Sequence, residues 1–171
     1  IRRVYPKLKI VLEHVSSSEG VLAVAEADGP TAATVTVQHL LFTLDDLMGG
    51  MLNPHLFCKP LVKFETDRRA IRTKVLAGDP RFFFGSDSAP HPREQKESDS
   101  CPAGVYTAPM ALPALAAWFE EEGDLDRLKP FVCDFGRLFY GAGPNAGETV
   151  LERRPWTVPK LPPWAPMTSR S

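Results

Sequence analysis

The segment that most constrains the fold is a run of three phenylalanines, Phe82–Phe84, followed by Gly85-Ser-Asp-Ser-Ala-Pro-His91. A short apolar run bounded by turn residues predicts a strand that is buried on both faces, as in parallel sheets. Prolines 90 and 92 fix a turn after it. Asp87 and His91 therefore follow the carboxyl end of a buried parallel strand, where α/β proteins place their chemistry.

The remaining chain alternates between strand and helix patterns. Such alternation predicts βα units and a parallel sheet, and three units make only part of a (β/α)8 barrel, which needs about 250 residues. Long loops are expected around residues 43–56 and 88–108, and a proline-rich, irregular tail after residue 155. We predict strands at residues 8–14, 31–39, 82–87 and 149–153, and helices at residues 21–27, 65–77, 109–122 and 125–133, with a short helical turn at 135–140.

Composition excludes several classes of protein. The chain has 171 residues, 43% of them hydrophobic, and a formal net charge of −1. A globular domain is expected, whereas nucleic-acid binding through a broad basic patch is not. Its apolar runs are too short to cross a membrane. The three cysteines are widely spaced, which argues against a disulfide framework and favours a cytoplasmic setting.

Three predicted strands end near a possible ligand or base, namely His14, His39 and Asp87. Imidazole and carboxylate groups are usual ligands of zinc, and strand ends converge at one face of a barrel. Each of these residues also has a structural explanation. A histidine at a strand end is often simply hydrogen-bonded, and the loop after His39 could bury it. On spacing alone, Asp87 fits a turn-capping residue as well as a metal-bound acid.

The motifs around this strand resemble the C-terminal signature of dihydroorotase, of the homodimeric type found in bacteria and fungi. Several separate segments agree with that family in order and spacing, and together they span about residues 7–145. They are Lys9-Ile-Val-Leu-Glu-His14, Gln38-His-Leu40, Pro54-His-Leu-Phe-Cys58, Gly85-Ser-Asp-Ser-Ala-Pro-His91, Lys96-Glu-Ser98, Ala103-Gly104, Ala108-Pro109 and Phe139-Tyr-Gly141.

The resemblance implies an amidohydrolase (β/α)8 barrel with two zinc ions. Such an enzyme interconverts carbamoyl-aspartate and dihydroorotate, a cyclic amide of pyrimidine (UMP) biosynthesis. By position, His14 resembles a zinc ligand, and Asp87 resembles both a zinc ligand and the catalytic acid/base. Substrate contacts are implied for His91, Ala103 and Gly104, and for the main chain at Lys59.

The same resemblance indicates what this chain lacks. The family's other metal ligands and further substrate-binding residues would precede Ile1, so we expect a C-terminal portion that is inactive alone. We assign residues 1–145 to the barrel, and residues 146–171 to a strand and proline-rich tail that departs from the family. Two alternatives stay open: another cyclic amidohydrolase, or a non-catalytic homologue that serves as a structural partner.

Overall fold

The computed structural model describes residues 1–155, in which a three-stranded parallel sheet is surrounded by helices. The strands are β1 (Ile10–Leu12), β2 (Thr31–Val35) and β3 (Phe82–Phe84), in the order β1-β2-β3. Ile10 pairs with Thr31 and Ala33 pairs with Phe82. This is the α/β arrangement that the sequence predicted, a part of a (β/α)8 barrel. Residues 149–153, predicted as a strand, form none.

Seven α-helices lie between and after the strands in the part of the chain that the structure describes. The helical elements are α1 (Ser18–Ala25), α2 (Val37–Leu41), α3 (Leu44–Met48), α4 (Glu65–Leu76), α5 (Arg93–Lys96), α6 (Ala111–Glu121) and α7 (Phe135–Tyr140), with 3-10 turns at Pro54–Leu56 and Leu125–Arg127 and a π turn at Pro130–Asp134. Within residues 1–155, none of the helices is long and apolar enough to cross a membrane.

Local capping explains where α1 and α4 begin. The Ser17 hydroxyl accepts a hydrogen bond from the Gly20 amide at 3.1 Å and thereby starts α1. The buried Asp67 carboxylate accepts from the amides of Phe64 at 3.2 Å and Ser18 at 2.8 Å. One side chain thus caps α4 and holds it against the start of α1, which fixes both helices on the same side of the sheet.

Two hydrophobic clusters hold the elements together. The larger one lies between the sheet and helices α1, α2, α4 and α6, and includes Phe82, Ile71 and Phe119, each at most 1% exposed. The smaller cluster contains Leu47, Leu56, Cys58, Val62 and Val105. It joins the segment after β2 to the loop after β3, and so supports the region beyond the strand ends.

The structure departs furthest from the predicted boundaries at two places. Residues 36–39 were predicted to continue a strand, but β2 ends at Val35 and α2 begins at Val37, because the Thr36 side chain caps the helix. Residues 125–133 were predicted as one α-helix. They are helical, but residues 125–127 form a 3-10 turn and residues 130–134 a π turn that runs directly into α7. Pro130 has no amide hydrogen to donate to the preceding turn, which interrupts a regular helix.

Candidate active site

The carboxyl ends of the three strands are joined by Thr34, a buried residue of β2. Its hydroxyl accepts from the His14 amide at 2.6 Å and donates to the Glu13 carboxylate at 2.6 Å. On the other side, Gly85 packs so closely that an added Cβ would lie 2.7 Å from the Thr34 Cβ. Gly85 therefore allows the end of β3 to approach β2 at this edge.

His14 and Asp87 follow β1 and β3 at this edge of the sheet. Both have positive φ angles, 42° for His14 and 39° for Asp87, a conformation that side-chain-bearing residues adopt rarely and often at functional sites. The Nδ1 atom of His14 is buried and has no hydrogen-bond partner within residues 1–155. Asp87 is exposed, so its carboxylate is open to a ligand.

The adjacent His39 has a structural role instead. It is 3% exposed, its Nδ1 lies 2.7 Å from the Thr36 hydroxyl and its Nε2 lies 3.0 Å from the Pro60 carbonyl. Because a carbonyl can only accept, Nε2 carries the proton and Nδ1 accepts from Thr36. Both ring nitrogens are therefore occupied, which leaves His39 no lone pair for a metal ion.

Burial lowers the pKa of His39 to about 4, because it disfavours the charged imidazolium. The charges of Lys63 and His14 lower this pKa further, whereas the Pro60 carbonyl and the charge of Asp87 raise it.

A second group of predicted residues meets in the loop after β3. The His91 Nε2 donates to the Ala103 carbonyl at 3.0 Å. Gly104 packs against the same ring, since a Cβ there would lie 3.0 Å from the His91 Cδ2 and 2.7 Å from Ala89; its φ of 148° also suits glycine. The Gly104 amide donates to the Phe57 carbonyl at 2.8 Å. His91, Ala103 and Gly104 therefore form one rigid group.

Lys59 lies on the neighbouring segment with its side chain exposed. It precedes a cis peptide bond to Pro60, whose carbonyl binds His39. The thiol of Cys58 donates to the same Pro60 carbonyl. The thiol is buried, and its pKa is raised, chiefly by that burial. The charge of Lys96 opposes the rise in the pKa of the Cys58 thiol, and the charge of Asp87 adds to it.

One residue of this region has a role that its sequence pattern did not predict. Lys96 was noted only as part of a motif in a polar loop, yet it is 1% exposed. Its ammonium group contacts three main-chain carbonyls around His91. A lysine in a segment rich in proline, serine and charged residues carries no pattern that distinguishes a buried cation from a solvated one.

The donor set at the strand ends is a partial one for a metal centre. Within residues 1–155, no group of three or more His, Cys, Asp or Glu side chains is arranged to hold a metal ion. His14 nevertheless presents an unsatisfied buried nitrogen, and Asp87 presents an exposed carboxylate, both from strained backbone. These are ligand types that zinc accepts, so the two residues fit part of a zinc site and not a complete one.

Comparison with known proteins gives the same family as the motifs. The chain is 45% identical over 161 residues to a dihydroorotase of Alcanivorax borkumensis, which covers 94% of this chain and 47% of that relative. It is 47% identical over 155 residues to one of Halorhodospira halophila, covering 91% and 45%. The chain spans about half the length of these relatives. No protein-family model matches it.

Solved structures agree with the sequence comparison. The dihydroorotase of Saccharomyces cerevisiae, in complex with 5-fluoroorotic acid, superposes with a TM-score of 0.76 and 40% identity, over 83% of this chain and 41% of that one. The Campylobacter jejuni dihydroorotase gives 0.75 and 39% over the same shares. A D-hydantoinase of a Thermus species, at 0.67 and 18% identity, shares the fold. By sequence and by structure, the chain is homologous to dihydroorotases over about half of their length.

Proposed function

We propose that this chain functions as part of a dihydroorotase, which closes carbamoyl-aspartate to dihydroorotate and reopens it in pyrimidine biosynthesis. The observation that carries the proposal is the pair His14 and Asp87. They follow β1 and β3, the strands on either side of β2, at one edge of the sheet. Both have positive φ angles, and His14 has a buried nitrogen without a partner within residues 1–155. The homology to dihydroorotases supports this assignment.

We assign His14 and Asp87 to a centre of two zinc ions whose other ligands come from outside this chain. The buried Nδ1 of His14 is the atom that supports a ligand role, because a buried nitrogen left without a partner is costly. When bound, zinc supplies Lewis-acid polarisation of the amide carbonyl and of the attacking water.

Asp87 is proposed to carry the proton during hydrolysis. A water oxygen bonds to the ring carbonyl carbon, the Asp87 carboxylate accepts the water proton, and the ring C–N bond breaks as that proton passes to the leaving nitrogen. In cyclisation the steps run in reverse. The exposed position of Asp87 supports this role, because the proton acceptor must reach the substrate.

His91, Ala103 and Gly104 are proposed to orient the substrate, with the main chain at Lys59 facing the pyrimidine ring. His91 Nε2 donates to the Ala103 carbonyl, so the nitrogen that faces the substrate carboxylate is Nδ1, which must carry a proton to donate to that acceptor. Because that hydrogen bond fixes the ring, the chain can position an anionic group without first ordering a mobile side chain. The close packing of Gly104 against His91 supports the same arrangement.

The complete protein is further proposed to act as a cytoplasmic homodimer, in line with the family that the chain resembles. The cysteines within residues 1–155 are all unpaired, which is compatible with a reducing compartment.

Zinc content of the full-length protein tests the metal assignment. We expect bound zinc in the wild type and a loss of about half or more of it in His14→Ala, because a ligand is removed. His55→Ala is the matched control, since His55 is a partly exposed histidine that is hydrogen-bonded to Glu97. Unchanged zinc content in His14→Ala would contradict the assignment. Turnover of a hydantoin but not of dihydroorotate would favour another cyclic amidohydrolase.

A further inference from the structure

Lys96 lies at the end of the short helix α5, and its side chain is almost completely buried. The Nζ atom donates to the carbonyls of Phe57 at 3.0 Å, Pro102 at 2.9 Å and Gly104 at 2.9 Å. It also lies 5.6 Å from the centre of the Phe57 ring, a distance typical of a cation–π contact. A lysine this buried, with such defined contacts, needs an explanation beyond solubility.

The three acceptors identify the charged form of the side chain. An ammonium group has three N–H donors, whereas a neutral amine has only two and would turn a lone pair toward the third carbonyl. Burial lowers the pKa of Lys96, but the carbonyl cage is complementary to the cation. Within residues 1–155 no carboxylate forms an ion pair with Lys96. A positive charge therefore remains beneath this loop.

Two of the three carbonyls that accept from Lys96 belong to the neighbours of Ala103, the residue that holds His91. Pro102 and Gly104 flank Ala103, so two of the three Lys96 bonds fix the peptide units on either side of the Ala103 carbonyl. That carbonyl accepts from the His91 Nε2 at 3.0 Å. The third bond, to Phe57, connects the loop to the segment that also accepts the Gly104 amide. Lys96 is thus one step removed from the His91 ring.

We propose that Lys96 is a positioning residue for an anion-binding site at His91. Its buried ammonium fixes the Ala103 carbonyl, which accepts from the His91 Nε2 and so fixes the ring with Nδ1 as the free nitrogen. A carboxylate is bound there when Nδ1 also carries a proton and donates, since a lone pair on Nδ1 would repel it, and the charge of Lys96 favours the anion beside the ring. This inference deepens the proposed function, because it explains how the chain presents His91 to a carboxylate-bearing substrate. The contacts between Lys96 and the loop carbonyls exist whatever reaction takes place there.

The test uses the full-length protein, labelled with ¹⁵N at histidine and lysine, in its wild-type form and as Lys96→Met. Methionine keeps a similar length but removes the charge and all three donors. The matched control is Lys63→Met, since Lys63 donates to the Ser16 hydroxyl and lies outside the His91 group. Ring nitrogen shifts report the tautomer of each histidine, and the signal of His91 is assigned by its loss in His91→Asn.

We expect the wild type to hold His91 with its proton on Nε2, and Lys96→Met to lower the ratio of the two tautomers about tenfold, the effect of losing one charge-assisted restraint. Lys63→Met leaves that ratio unchanged. The His39 signal serves as a fold control, because its tautomer is fixed by Thr36 and Pro60. For dihydroorotate hydrolysis, Lys96→Met raises KM about tenfold and changes kcat by less than about threefold.

Three results would overturn the inference: a His91 tautomer ratio in folded Lys96→Met equal to that of the wild type, a wild-type ring protonated on Nδ1 but not on Nε2, or equal losses in Lys96→Met and Lys63→Met. If Lys96→Met does not fold, the wild-type spectrum is used instead. A His91 proton on Nε2 together with slow exchange of the Lys96 ammonium supports the inference, and the absence of either contradicts it. A wild-type protein without turnover contradicts the proposed function alone, since the tautomer measurement does not require it.

Discussion

The buried His39 makes the stability of the protein depend on pH in a way that can be calculated. Its pKa is lowered from the ordinary value of 6.5 to about 4, chiefly by burial. The unfolded chain therefore binds a proton in a range where the folded protein does not. The contribution of the neutral, buried His39 to the unfolding free energy is fully present above pH 6.5. It declines as the pH falls below that value and is lost once the pH passes the folded pKa near 4.

The size of this effect follows from the difference between the two pKa values. At about 1.4 kcal/mol for each pKa unit, the shift from 6.5 to about 4 corresponds to about 3 kcal/mol of unfolding free energy. The physical cause is the cost of placing an imidazolium between a carbonyl and a hydroxyl while the ring is 3% exposed. His39→Gln removes the titration but keeps a donor for the Pro60 carbonyl.

The assay is urea unfolding of the chelator-treated, full-length protein at several pH values between 7.5 and 4. Other acidic groups also contribute to the slope, so the relevant quantity is the wild type minus His39→Gln. We expect this difference to change by about 3 kcal/mol in favour of the variant as the pH falls from 7 to 4. Parallel stability curves, or an NMR titration of His39 near pH 6.5, would refute the reasoning.

Three further changes to the protein have expected outcomes. Asp67→Ala removes the carboxylate shared by Phe64 and Ser18 and should lower the unfolding free energy by about 2 kcal/mol, measured by urea denaturation. Gly85→Ala forces a Cβ against Thr34 and should cost about 1–3 kcal/mol in the same assay, whereas an unchanged value would show that the strand ends are not tightly packed. The 171-residue chain alone, with zinc added, should show no dihydroorotate hydrolysis in a spectrophotometric assay.

The elements that the sequence predicted correctly have strong local signals. Phe82–Phe84 was predicted as a buried strand because three aromatic residues in succession leave no polar face. In the structure, two of the three are at most 2% exposed. Helices α4 and α6 have apolar residues at helical spacing and end before Gly78 and Gly123, whose positive φ angles stop them. The parallel order followed from the alternation of strands and helices.

The errors occurred where a local contact outweighs an average preference. Residues 34–37 are β-branched, which favours a strand, but one hydroxyl at Thr36 is enough to start a helix. The role of Lys96 was not predictable, because its cage consists of carbonyls from Phe57, Pro102 and Gly104, which come together only after folding. Main-chain acceptors leave no side-chain pattern in a sequence.

If Asp87 carries the proton in a dihydroorotase reaction, its loss must slow the steady-state hydrolysis of dihydroorotate by the full-length protein. Asp87→Asn keeps the size of the side chain and removes its basic oxygen. We predict turnover by the wild type and a fall in kcat of about 10²-fold or more in Asp87→Asn, with zinc content measured alongside. A wild type without turnover, or an Asp87→Asn variant with wild-type kcat, would contradict the account.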